Sequence, residues 1–179
     1  MKKCFAFACL SVPLFFAAVA AWGGGEVSKE DGGGEDAGAA ARAEVFAFLK
    51  SCPAFFVATI DGEGGDGEDV PRVRPFGALA HWDGAIYIQT GNFKAVYRQI
   101  AAHPRIEICA LKPSGSEWIR IAATAVPDTR REALTAVLDA NPALRRMYDE
   151  DDGKTAVFRL ERAVATFNAW GAEPWTLEF

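Results

Sequence analysis

The stretch from residue 70 to 100, VPRVRPFGALAHWDGAIYIQTGNFKAVYRQI, constrains this chain more than any other. It reads as a strand carrying Arg72 and Arg74, a turn at Trp82-Asp83-Gly84, a second strand ending in Gln89-Thr90, and a helix over 93–102. Side chains two apart on a strand point to the same side, so both arginines face one partner. Lys94 falls in the first turn of the helix, where the macrodipole is positive and a cation is disfavoured. Three cations, a polar strand end and a helix N-terminus therefore converge on an anion, most simply a phosphate.

The rest of the chain supplies the frame. A helix is expected from Ala43 to Ser51, stopped before Pro53, and strands at 55–60, 71–79 and 85–90. After His103-Pro104 ends the second helix, strands are expected at 105–111 and 117–126. Asp128 is expected to cap a helix through Asp139, and Asn141-Pro142 to start a short one. Strands at 156–160 and 164–170, then a short one at 175–178, complete the pattern. Strands joined mostly by hairpins, with helices at the ends, suit a closed antiparallel barrel better than a doubly wound sheet.

In their order these pieces resemble the pyridoxamine 5′-phosphate oxidase-like flavoproteins. They are Phe48-Leu49-Lys50, Phe55-Phe56-Val57-Ala58-Thr59, Pro71-Arg72-Val73-Arg74-Pro75, Tyr87-Ile88-Gln89-Thr90, Lys94, His103-Pro104 and Glu117-Trp118-Ile119-Arg120-Ile121. The resemblance covers about Glu44 to Phe179. It implies a mainly β fold with flanking helices, the antiparallel split β-barrel of FMN-binding type, with a six-stranded barrel at its core. It also implies a phosphate grip for FMN from Arg72, Arg74, Gln89, Thr90, Asn92 and Lys94, with Trp118 beside the flavin ring, and a homodimer with FMN between subunits. Five of these residues have a plainer reading as well: Arg72 and Arg74 as a solvated strand face, Thr90 and Asn92 as helix caps, Trp118 as core. The expected function is FMN-dependent oxidation or reduction of a small molecule. The alternative is a split barrel that holds flavin or heme without turnover. The family's pyridoxal-phosphate enzymes carry a C-terminal Arg- and Trp-rich substrate segment, which is not expected here after Trp175-Thr176-Leu177-Glu178-Phe179, so the resemblance implies FMN binding and leaves oxidation of pyridoxamine phosphate open.

Composition narrows the classes. The net charge is −5 and the pI about 5.1, which gives no basic face for nucleic acid. The four cysteines form no Cys-x-x-Cys pair, and His81 and His103 lie far apart, so no metal site is expected. No Ser-His-Asp or Cys-His arrangement is legible and no catalytic residue is assigned; in a flavoprotein the cofactor itself carries the electrons. Residues 1–22 open on Lys2-Lys3, run apolar and reach Ala18-Val19-Ala20, the layout of a signal peptide or, uncut, a membrane anchor. A cytoplasmic N-terminal helix is the alternative. Residues 23–42, with two glycine triplets among charges, read as a linker. Residues 43–179 remain, about 135 residues, a usual size for one domain.

Overall fold

The computed structural model describes residues 32–62 and 69–179. These belong to one compact unit, Asp31–Phe179. The expected signal peptide or anchor, and the first part of the expected linker, lie outside the described residues. Among those described, no helix is long and apolar enough to cross a membrane.

The elements run α1 (Gly32–Lys50), β1 (Phe55–Asp61), β2 (Val70–Phe76), β3 (Leu79–Trp82), β4 (Ala85–Gly91), α2 (Ala95–Ala102), β5 (Arg105–Leu111), β6 (Glu117–Asp128), α3 (Arg131–Ala140), a 3₁₀ helix (Pro142–Arg146), β7 (Thr155–Ala169) and β8 (Trp175–Glu178). The strands form one antiparallel eight-stranded sheet in the order β2-β1-β5-β6-β7-β4-β3, with β8 on β7. The sheet curls around Val57, Ile108, Ile119, Ile121, Phe158 and Ala165, which are completely buried. Helix α1 closes this core with Ala41, Val45 and Leu49, spaced four apart on one helical stripe.

Several local expectations are corrected. Helix α1 begins at Gly32, inside the expected linker; Val45 and Leu49 dock on the core and hold a helix that glycine content alone disfavours. The strand expected over 71–79 breaks at Gly77 into β2 and β3, which lie at opposite ends of the sheet order. Asp128 ends β6 instead of capping α3, and the N-cap of α3 is Arg130. The two strands expected at 156–160 and 164–170 are one bent strand, β7. It bends at Arg162, which has a φ of 48°, opposite a register shift between Ala122 and Thr124. The bulge lets β7 pair with β4 through its first half and with β8 through its second.

Strand β4 positions the candidate site, and its sequence explains its place. AIYIQTG is buried at every position. Ile86 and Ile88 face the main core, while Ala85 and Tyr87 pack with Ala133 and Val137 of α3. A strand covered on both faces suits an apolar run without polar alternation, which Ala85–Ile88 supplies before the buried polar pair Gln89-Thr90. It is entered by a two-residue turn, Asp83-Gly84, with φ of 49° and 67°, the left-handed pair that a tight hairpin requires.

Candidate functional site

A cavity of about 430 Å³ opens between the end of β4, the β2–β3 break and the 3₁₀ segment. It is lined by Gln89, Thr90 and Lys94, by Pro75, Phe76, Gly77 and Ala78, and by Asn141, Pro142, Ala143, Leu144, Met147 and Tyr148. Three of the sequence-predicted residues, Gln89, Thr90 and Lys94, thus meet at one place. Lys94 is the N-cap of α2, one position before the expected first turn, in extended conformation and with no side-chain cap. The helix N-terminus still raises the energy of its charge. Its Nζ lies 5.9 Å from the Tyr148 ring and 6.0 Å from the Phe93 ring, with no carboxylate partner among the described residues. Lys94 is therefore an ammonium held at the positive end of a helix without a counter-ion among the described residues.

The arginines are placed differently. Arg72 and Arg74 do share one side of β2, as expected, and register opposite Thr59 and Val57, both buried. Neither lines the cavity. Arg72 pairs with Asp61 at 3.2 Å. Arg74 braces β2 to β1 and α2: Nη1 donates to Thr59 Oγ1 at 2.5 Å and Nη2 to Gln99 Oε1 at 2.6 Å. Burial, and then the nearby Arg72 charge, lower the pKa of Arg74. A bound anion would oppose both effects.

Asn92 does not line the cavity: its Nδ2 donates to the Gly153 carbonyl at 2.7 Å and its amide to the Lys154 carbonyl, tying the start of α2 to the loop before β7. Trp118 is half-buried on Trp170, with ring centroids 5.0 Å apart. It pairs with Asn168 at one end of the β6–β7 ladder, whereas Gln89 pairs with Val157 near the other. Within a single chain Trp118 and the cavity do not meet.

The short helix expected at Asn141-Pro142 is present as the 3₁₀ segment, but its role as a cavity wall escaped sequence reasoning, because its partners are distant in sequence. Asn141 fixes its start: Nδ2 donates to the Leu79 and Val137 carbonyls and Oδ1 accepts from the Leu79 amide. Arg145 holds its end, with Nη2 2.6 Å from Asp139 and 2.9 Å from Glu150. Beneath α3, Arg130 bridges Asp83 and Asp128 and lies over the Trp82 ring, while the Tyr87 hydroxyl donates to Asp128 at 3.0 Å. The hydrogen bonds from Arg130 hold the Asp128 carboxyl down to about 2, and those from Arg145 hold Glu150 to about 2.

Lowered carboxylate pKa values stabilise the fold above the ordinary values, 3.8 for Asp128 and 4.5 for Glu150, and that contribution is lost as pH falls toward 2. Wild-type Tm is accordingly expected to fall more steeply between pH 4.5 and 2 than that of an Asp128→Asn, Glu150→Gln double variant. Parallel Tm–pH curves for the two proteins would contradict this.

A family model described as Pyridoxamine 5′-phosphate oxidase matches residues 41–170. Among solved structures, a NimC/NimA family protein from Clostridium acetobutylicum is 33% identical; the match covers 81% of this chain and 96% of that one, with a TM-score of 0.75. General Stress Protein 26 from Bacillus anthracis str. Sterne is 12% identical over 77% of this chain and 98% of that one, with a TM-score of 0.60. A heme binding protein from Mycobacterium smegmatis is 18% identical over 80% of this chain and 57% of that one, with a TM-score of 0.52. The last two share the fold. No curated protein matches the chain. The antiparallel sheet with its three helices agrees with these neighbours, and the expected split β-barrel class stands.

Proposed function

Because the chain belongs to the pyridoxamine 5′-phosphate oxidase family, whose members are typically flavin-binding, we propose that it binds FMN and acts as an FMN-dependent oxidoreductase on a small organic molecule. The observation that carries this reading is the cavity at the start of α2. It brings an ammonium with no carboxylate partner among the described residues, a helix N-terminus and the buried polar residues Gln89 and Thr90 together beside apolar walls. An anionic group suits the first three, and the largely apolar remainder suits an organic body. Lys94 and the end of β4 would hold the phosphate, with Arg74 adding positive charge from the β2 side. When bound, the flavin supplies the electron-transfer chemistry; the chain binds, orients and shields it.

Turnover separates an enzyme from a carrier. Protein loaded with FMN is expected to oxidise NADH or NADPH catalytically when an electron acceptor such as a quinone is added. A bound flavin that no nicotinamide reduces would favour the non-catalytic alternative.

We also propose that the functional unit is a homodimer formed through the outer face of the sheet. Register places Phe56, Leu111 and Trp118 on that face, joined by Val73 and Val164. Phe56 is 46% exposed, Val73 68% and Leu111 50%. Large apolar side chains grouped on one sheet face favour burial against a partner. A second copy would also bring its own Trp118 toward a cavity that Trp118 cannot reach within one chain. Phe56→Asp is expected to convert a dimer to monomers in sedimentation at micromolar concentration and to weaken FMN binding with it. Wild type that sediments as a monomer while binding FMN tightly would refute the dimer.

Residues 1–22 are proposed to direct export or membrane association. Sequencing the N-terminus of the mature protein after expression of the full chain tests this; an intact, soluble cytoplasmic chain would overturn it.

A further inference from the structure

Tyr148 lies outside every motif considered so far, yet it lines the cavity and is only 7% exposed. Its backbone amide is used, donating to Leu144 at 2.9 Å. Its hydroxyl has no hydrogen-bond partner among the described residues. The hydroxyl of a tyrosine this buried normally finds a partner. Nor is the hydroxyl sealed from solvent: the side-chain polar atom that is both buried from all solvent and unpartnered among the described residues is Arg159 Nε, not Tyr148 Oη. Tyr148 thus lines the cavity with a hydroxyl that no protein group uses among the described residues. There it shares its surroundings with the Lys94 ammonium, 5.9 Å from its ring centroid.

The backbone around Tyr148 is held firmly. Asn141 fixes the segment before it by three hydrogen bonds to β3 and α3. After it, Asp152 accepts from the Asp149, Lys154 and Thr155 amides. Arg145 spans the interval between Asp139 and Glu150. A hydroxyl on so braced a segment loses little freedom when it meets a ligand.

We propose that Tyr148 is a ligand-contacting residue whose hydroxyl donates a hydrogen bond to the same anionic group that pairs with Lys94. The inference rests on the FMN reading and adds a neutral donor to its phosphate site. A phenol beside an ammonium suits a phosphate, since one tetrahedral anion accepts from both at once. Two groups that share one anion must also be energetically coupled.

The test is equilibrium binding of FMN and riboflavin to the full-length protein, in wild type, Tyr148→Phe, Lys94→Ala and the double variant. Tyr148→Phe keeps the ring, its packing and its place over Lys94, so the fold is not at stake. It is expected to weaken FMN about tenfold while leaving riboflavin within about twofold of wild type. The double variant is expected to lose less than the product of the two single losses. Wild-type FMN affinity in Tyr148→Phe, with a loss in Lys94→Ala, would overturn the role of Tyr148 and leave the FMN reading standing. Equal weakening of both flavins would place Tyr148 away from the phosphate and overturn the proposal. A wild type that binds neither flavin would overturn the proposal and the reading beneath it.

Discussion

Lys94→Ala is expected to weaken FMN binding by roughly 1.5–3 kcal/mol, about ten- to a hundredfold, while riboflavin affinity stays near its lower wild-type value. The reason lies in the environment of Lys94. It sits at the N-cap of α2 without a carboxylate partner among the described residues, so its charge is uncompensated until an anion arrives. The same reasoning fixes the behaviour of the ligand-free protein. Removing an unpaired cation from a helix N-terminus removes a mild repulsion, so the apo Tm is expected to hold or rise slightly. Arg74→Ala is expected to differ. It too should weaken FMN more than riboflavin, but it strips Thr59 and Gln99, both buried, of a hydrogen-bonding partner and should lower the apo Tm as well. Comparing the two variants by flavin titration and thermal unfolding separates ligation from bracing. If Lys94→Ala loses both flavins equally, or neither, Lys94 is not a phosphate ligand.

The largest stability effect is expected at Phe158. Its side chain is fully buried in β7 and registers opposite Ile88 of β4 and Pro127 of β6. Its ring lies 5.9 Å from that of Tyr97 on α2. Phe158 thus joins the strand that carries Gln89 and Thr90 to the helix that Lys94 caps. Phe158→Ala is expected to cost about 3–5 kcal/mol in denaturant unfolding, from lost transfer energy and the void left behind. At that site neither neighbouring strand can collapse inward without breaking a ladder. Flavin binding should fall with it, and for riboflavin as much as FMN, because the loosened part is the frame of the cavity. A loss below 1 kcal/mol would mean that the β4–β7 pairing does not depend on this ring.

Where physical signals were local, the sequence was readable. The two-apart spacing of Arg72 and Arg74 placed them on one side of a strand, and the register agrees. Asp83-Gly84 announced a tight turn, and both residues adopt positive φ. Strands β5 and β8 fall at their expected bounds, since each is an extended run flanked by proline or glycine. The unread features depend on contacts between distant segments. Nothing near Arg74 names Gln99 as its acceptor, because that contact depends on where α2 packs against β1. Nothing near Ala41 outweighs the glycines before it, because the helix is held by the core it covers. The break expected between 160 and 164 falls on the bend of β7, but nothing local showed that the strand continues through it, with an arginine in the left-handed region that glycine normally occupies. The cavity wall at 141–148 went unread for the same reason: the packing of α3 brings Asn141 and Tyr148 to the end of β4.

Binding of FMN through its phosphate is tested most directly by titrating the full-length wild-type protein with FMN and with riboflavin, following flavin fluorescence and then recording the absorption spectrum after desalting. The expected result is saturable binding of one FMN per chain, a flavin spectrum that survives desalting, and riboflavin binding weaker by at least about tenfold, the worth of the phosphate contacts. A protein that emerges from desalting colourless, or that binds the two flavins equally, would contradict it.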